Sequence, residues 1–377
     1  MERARLGRAS SAVVCVLCAI ACAGPVPAAG GDGAGVSPAS ASRDIEGFGY
    51  ATLGGKGGST CHVTSLAASG AGSLLDCVLE REGPRIVVFD VAGTVVPEDT
   101  LRINDPYLTI DGTTAPPPGI TIRPPNGGAK SALVVESTHD VIIRGLRLVG
   151  YATGGDGDLI GLDGTEGDAV YNVVVDHLAL TQADDGALDI TGNVHDITVS
   201  WCLLYGNILT SLIKYDTRQR FSIHHSVYAH NAERNPQVKG DMRTLDFRNN
   251  ILHDWTLTRE GYGLLLWSAP AGSDSPGVPS VNLVGNAFLA KAGSNDCGLV
   301  LKEDAAPVQR WLSDNMALPS PLCASSNLPA PLPIPGPAQV STAPASSLAS
   351  LLLPEVGVHP RTPAEQALLD EIAARLK

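Results

Sequence analysis

The chain has 377 residues, with 26 Lys and Arg against 39 Asp and Glu, a net charge of −13. It holds 41 Gly and 27 Pro but is only 5% aromatic, a balance that suits one large domain of tight turns and aliphatic rungs. This acidity, with no basic stripe, argues against nucleic acid as a partner. It also means that an anionic substrate would need a cation or a local basic patch to mediate.

Arg3, Arg5 and Arg8 precede an apolar run over residues 12–23. A basic start, an apolar stretch too short to span a bilayer and small residues after it predict a secretory signal. We expect a signal peptide over 1–28, cut after Ala23 or Ala28, and a disordered Gly/Ala/Ser/Pro leader over 29–43. The protein is then secreted, to the periplasm or outside the cell, with a lipid anchor on Cys22 as the alternative. Five cysteines remain after the leader, and the exported setting permits disulfides. Nearest-neighbour pairing gives Cys61–Cys77 and Cys297–Cys323, while Cys202, after Trp201, reads as a small buried hydrophobe. No CxxC pair survives, which argues against a zinc site.

The domain predicted over 44–316 opens with IEGFGYATLGGKGGSTCHVTSL. GGKGG is not a phosphate loop, because Gly57 rather than Ser or Thr follows Lys56. The run SLLDCVL from Ser73 predicts a short amphipathic helix that caps the open end of a solenoid. Rung-like strands follow at RIVVFDV (Arg85), YLTIDGT (Tyr107), GITIRPP (Gly119) and ALVVES (Ala132).

A regular repeat comes next. VVVDHLAL follows Asn172, ITVSWCLL follows Asp196, FSIHHSVY follows Arg220 and LDFRNNIL follows Thr244, each start 24 residues after the last. Related copies start at Asp140 and Ser280. A fixed period of this size with alternating apolar positions (Val173 and Val175, Ile197 and Val199, Phe221 and Ile223) predicts strands stacked in a right-handed parallel β-helix. Ser226, Asn250 and Asn286 share one turn position, where stacked Asn can bond from rung to rung and tolerate left-handed backbone. Composition then shifts to Ala, Pro and Ser, and the tail over 317–377 ends in a helix. Thr362, Pro363 and Glu365 form a capping box, and Leu368, Leu369, Ile372 and Leu376 an apolar stripe that should pack on the solenoid.

Two acidic pairs carry the chemistry. Asp156 and Asp158 in GDGDLI point one way if that segment is extended. Asp185 and Asp189 in DDGALDI share the outer face if they lie on one strand, with Leu188 and Ile190 inward. Hard oxygens on adjoining rungs suit Ca²⁺, although a solvated acidic face would give the same letters. One rung on, ERNPQVK places Arg234 and Lys239 beside the acids.

With these residues in view, the chain resembles the pectate lyases of polysaccharide lyase family 1, from about Ile45 to VHPRTPAEQALLDEI. EGFG, GGKGG, VTSL, VVVDH, DGALDI, ITVSWC, HHSVYAH, ERNP and LDFRNN occur in the family's order. The resemblance implies a monomeric parallel β-helix that cleaves an acidic polysaccharide, pectate or pectin, by Ca²⁺-assisted β-elimination. It implies Asp158 as a calcium ligand with Asp156 as auxiliary, and Asp185 and Asp189 as the acidic pair. Arg234 matches the base and Lys239 a uronate-binding position, while Asp176 and His177 match a structural Asp-His. Two departures stand out. Leu209 replaces a substrate-binding Lys, for which Lys214 is a nearby substitute, and Lys239 replaces an Arg that would grip a carboxylate bidentately. A guanidinium is also an unusual base, since it holds its proton to high pH.

Two rival readings remain. A glycoside hydrolase could draw its paired carboxylates from Asp184, Asp185 and Asp189. A non-catalytic glycan-binding β-helix is consistent with Leu209.

Overall fold

The computed structural model describes residues 45–214, 219–255, 262–291, 296–319 and 321–377, all within the unit Ser42–Lys377. The predicted signal peptide, leader and Cys22 lie outside the described residues. Among those described, no helix is long and apolar enough to cross a membrane.

The strands form a parallel β-helix of three sheets, of ten, nine and eight strands. Each coil gives one strand to each sheet in turn. Val170–Asp176, Ala179–Thr181 and Leu188–Gly192 make one coil, and Val194–Ser200, Leu203–Tyr205 and Leu212–Lys214 stack on it in parallel register. The sequence repeat is the ten-stranded sheet. Val141, Val173, Ile197, Phe221, Leu245 and Val281 are successive Cα partners and all are buried. The four early runs are not four layers of that sheet. Arg85–Phe89 and Leu108–Asp111 belong to it, whereas Ile120–Ile122 lies in the nine-stranded sheet and Leu133–Glu136 in the eight-stranded one.

The Asn column bonds from rung to rung. Asn286 Oδ1 accepts from the Asn250 N–H, and Asn250 Oδ1 from the Ser226 N–H, both at 2.9 Å. Cys202 joins the column: its N–H donates to Ser226 Oγ, and its sulfur accepts from the Leu178 N–H. It is a buried free thiol as well as a ladder member, and burial pushes its ionisation far up. The left-handed residue is not the Asn itself but the one before it, at Trp201, His225, Asn249 and Gly285. A second ladder, unmarked by the repeat, runs from Ala183 N–H to Asn207 Oδ1 and from Asn207 N–H to Asn231 Oδ1. Each ladder satisfies turn amides that would otherwise be buried without partners.

The two ends are closed differently. At the N-terminal end the helix Leu74–Leu79 is capped by Ser73 Oγ and tied to the first strand by Cys61–Cys77. Arg85, almost wholly buried, donates to the carbonyls of Cys77 and Val78 near the helix end, where a cation also suits the dipole. The glycines of GGKGG serve close approach: a Cβ on Gly55 would lie 1.9 Å from the Arg85 carbonyl oxygen, and one on Gly58 at 1.9 Å from that of Pro84. Cys297–Cys323 is the second disulfide.

The Pro-rich tail packs along the solenoid, burying Val340, Ala345, Leu348, Leu352 and Val356, and ends in the helix Pro363–Arg375. The capping box is present, with Thr362 Oγ1 accepting from Glu365 N–H and Glu365 from Thr362 N–H. Leu368, Leu369 and Ile372 cover Leu203, Val227, Ile251 and Ala287 of the nine-stranded sheet. Glu365 also accepts two bonds from the buried guanidinium of Arg147, at 2.9 and 3.0 Å. Glu365→Ala would leave Arg147 buried and unpaired, and should cost about 3–5 kcal/mol. Arg147→Met with Glu365→Ala should be milder than Glu365→Ala alone. Urea unfolding checks both, and a cost for Glu365→Ala below about 1 kcal/mol, the scale of a surface pair, would contradict this clamp.

Candidate functional site

The sequence-predicted residues gather on the eight-stranded sheet, because the turns entering its strands carry the polar letters while the strands carry the core. Asp158 lies two residues before Ile160–Gly164, and Asp189 is the second residue of Leu188–Gly192. Leu188 and Ile190 are buried inward, as alternation requires. Asp185 lies in the turn before that strand rather than on it, with its N–H bonded to Gly157 O.

Asp158 and Asp189 face each other across Gly186. A Cβ built on Gly186 would sit 2.4 Å from Asp189 Oδ1 and 2.8 Å from Asp158 Oδ1. The two oxygens are therefore at most about 5.2 Å apart, the sum of those distances, which is the span a cation bridges with Ca–O bonds of about 2.3–2.6 Å. Asp158 Oδ1 accepts from the Gly186 N–H, and Asp189 Oδ1 from the Leu212 N–H, each at 2.8 Å. Burial raises both carboxyls above the usual range. The charge of Asp189 raises Asp158 further, and that of Asp185 raises both. The nearest described cation is Arg234, whose Nη1 is 3.8 Å from Asp189 Oδ2. A buried Asp189 and a partly buried Asp158 with so little neutralisation, around a gap kept open by a glycine, fit a hard divalent cation.

The other two acids stand apart from this pair. Asp185 contributes charge, but no group of three acids comes within 4.8 Å ligand to ligand among the described residues. Asp156 is exposed and lines a neighbouring polar depression with Asp99, Thr100, Arg102, Lys130 and Ser131. Asp184 accepts from the N–H groups of Tyr151 and Thr153 and from Thr153 Oγ1. These bonds anchor the loop over Tyr151 and Thr153. Asp176 and His177 bond to each other on the ten-stranded sheet.

Arg234 sits in the turn before Gln237–Lys239, held by Thr210 N–H to Glu233 O and Ser211 N–H to Arg234 O. Its backbone is left-handed (φ 60°), a conformation a bulky residue adopts only where its surroundings impose it. Leu209 pairs with Glu233 in an isolated parallel bridge, beside the exposed Ile208. Apolar groups thus edge the site where a lysine would be expected.

Lys214 and Lys239 end consecutive strands and converge on one carboxylate, Asp274. Lys239 Nζ forms a short ion pair with Asp274 Oδ1, and Lys214 Nζ lies 3.9 Å from Oδ2. Lys239 Nζ also lies 4.1 Å from the ring centroid of Trp267, its Cα partner on the next strand. The hydrogen bond from Lys239 holds the Asp274 carboxyl below its ordinary range. The sequence reading missed Gly186, Trp267 and Asp274. The first reads as a turn glycine, and the others lie 28 and 35 residues past Lys239, brought to it by register that the chain order does not display.

No protein-family model matches the chain. It is 36% identical over 212 residues to probable pectate lyase C of Emericella nidulans, covering 56% of this chain and 47% of that protein. It is 32% identical over 249 residues to probable pectate lyase C of Aspergillus flavus, covering 65% and 53%. The chain thus spans about half the length of the curated relatives it matches. Among solved structures, the cedar pollen allergen Jun a 1 superposes with a TM-score of 0.68 at 19% identity, over 83% of this chain and 92% of that one. A Bacillus sp. N165 pectate lyase in complex with trigalacturonate gives 0.58 at 15%, over 83% and 98%. Pectate lyase C from Erwinia chrysanthemi, determined with Ca²⁺, gives 0.51 at 18%, over 84% and 97%. At these identities the structural likeness establishes the fold.

Proposed function

The chain belongs with the pectate lyases in sequence and fold, and from that premise we propose that it is an exported polysaccharide lyase cleaving pectate or pectin by β-elimination. The observation that carries the reading is the pair Asp158 and Asp189 facing across Gly186, with Arg234 beside them. Two disulfides support the exported setting. The likeness to proteins named pectate lyase, one solved with trigalacturonate and one with Ca²⁺, agrees with it.

Asp158 and Asp189 would hold Ca²⁺, with Asp185 close enough to add to the field, and Asp156 remains an outlying candidate. When bound, the ion supplies positive charge that pairs with a uronate carboxylate and stabilises charge developing beside it. Arg234 would take the C5 proton, and the O4 substituent would then leave to give a 4,5-unsaturated uronide. Lys214 and Lys239 would bind a neighbouring uronate. The test is incubation with polygalacturonate and Ca²⁺ while following ultraviolet absorbance. The lyase gives the absorbance of an unsaturated uronide. Reducing ends without that absorbance would mean hydrolysis, and neither signal would mean binding alone.

Asp274 occupies the lysines that such a uronate needs. We expect Asp274→Asn to lower KM for polygalacturonate by up to about fivefold, the worth of a partly exposed ion pair, with kcat little changed. A higher KM would mean that Asp274 positions the lysines rather than competing for them.

Ile208 and Leu209 favour a methyl ester or neutral sugar over a bare carboxylate, whose desolvation an apolar wall cannot repay. Partly esterified or branched pectin should therefore be preferred over de-esterified polygalacturonate, and Leu209→Lys should shift the preference back, mainly through KM. Measuring kcat/KM across graded esterification checks this, and a flat profile for both proteins ends the idea.

A further inference from the structure

The opposite flank of the molecule holds a cluster that the lyase reading does not use. His230 follows the strand Val227–Ala229, His253 ends the strand Ile251–His253, and Glu371 projects from the helix Pro363–Arg375. Glu371 Oε1 lies 3.1 Å from His230 Nε2 and 2.9 Å from His253 Nε2, and all three atoms fall within 4.8 Å of one another. Among the described residues this is the only group of three His, Cys, Asp or Glu side chains to come so close.

We infer that His230, His253 and Glu371 bind one divalent transition ion of the zinc class, clipping the C-terminal helix to the nine-stranded sheet. The donors decide the ion. Two imidazole nitrogens and one carboxylate oxygen suit Zn²⁺ or Co²⁺, whereas Ca²⁺ takes oxygen. The distances nearly fit. A tetrahedral ion with bonds of about 2.0–2.1 Å needs ligand atoms about 3.3 Å apart, a few tenths of an ångström beyond the two His–Glu separations.

The parts that must stay fixed and the part that must move are also the right ones. The His253 side chain, at the end of an interior strand of the sheet, is wholly buried, and the His230 N–H is bonded to the His253 carbonyl. Glu371, on the helix surface, is half exposed and can withdraw slightly to admit the ion, leaving a fourth position for water. The lack of CxxC pairs speaks only against thiolate sites and leaves this one open. The helix is already pinned at its first turn by Arg147 and Glu365, and the ion would be a second pin two turns later.

The test uses the full mature chain, stripped with chelator and returned to metal-free buffer at pH 7.5. ZnCl₂ is titrated by calorimetry, CoCl₂ is followed by its visible ligand-field bands, and Tm is read with and without Zn²⁺. The wild type should bind one equivalent of each ion and melt higher with Zn²⁺. His230→Gln and Glu371→Gln keep hydrogen-bonding capacity at exposed positions, and each should weaken Zn²⁺ binding at least tenfold and abolish the Tm rise. No Zn²⁺-dependent rise in the wild type, or equal affinity in both variants, would overturn the site. The second result would send the ion to another surface pair such as His62 and Asp90.

Discussion

Asp158→Asn should reduce Ca²⁺-dependent lyase activity by about 10²–10³-fold, the range for losing one preorganised electrostatic contact at a reacting centre, while making the ion-free protein more stable. The second half distinguishes a metal site from a merely structural acid. Asp158 and Asp189 both have carboxyl affinities raised by burial and by neighbouring negative charge. A carboxyl whose folded pKa exceeds its unfolded value of about 3.9 binds protons on folding. Its contribution to stability is full below that unfolded value and is lost as pH rises toward the folded pKa. In chelator, wild-type Tm should therefore fall as pH rises from 4 to 8, and Asp158→Asn should flatten that fall. The Asn oxygen can still accept the Gly186 N–H, so folding is retained. Added Ca²⁺ should raise wild-type Tm increasingly toward pH 8 and leave the variant unmoved. Gly186→Ala, which puts a methyl between the two carboxylates, should lose the Ca²⁺ response in the same way. A wild type indifferent to chelator, in activity and in Tm, would remove the calcium role.

The same carboxylates show how far the letters alone reach. The ten-stranded sheet was legible because its strands are five to seven residues long in the repeat, β-branched, and spaced by 24. Leu203–Tyr205 and Leu212–Lys214 have three residues each, too few for alternation to declare itself, so the other two faces were folded into one series of rungs. Asp189 could be placed because Leu188 and Ile190 fix its phase. Asp185 could not, because its assignment assumed that the strand began earlier than it does. Asp156 and Asp158 are two letters apart, yet the turn between them turns one toward Asp189 and the other to the depression beside Lys130. Contacts made by stacking coils are harder still. Asp274 closes on Lys239 and Lys214 from a turn one coil later, and Glu371 reaches His230 and His253 from the end of the chain.

Arg234→Lys should keep KM within a few-fold of wild type and lower kcat by about 10²–10⁴-fold, the usual contribution of a positioned proton-transfer group. Lysine keeps the positive charge beside Asp189 and so keeps most of the electrostatic attraction for an acidic chain. It loses the planar fork and moves the donor atom, so a role that depends on where a nitrogen stands is lost while a role that depends on charge survives. The backbone sharpens the comparison. Arg234 is left-handed, and its turn is fastened by Ser211, Thr210 and the Asn235 side chain, which donates to Tyr262 O at 3.0 Å. Lysine carries the same left-handed burden, so the substitution changes the tip of the side chain and little else. Stopped assays on polygalacturonate at saturating Ca²⁺ give kcat and KM separately. Turnover near wild type would move the base to Lys239, whose amine Asp274 and Trp267 already hold in place, and Lys239→Gln would then carry the loss that Arg234→Lys failed to produce.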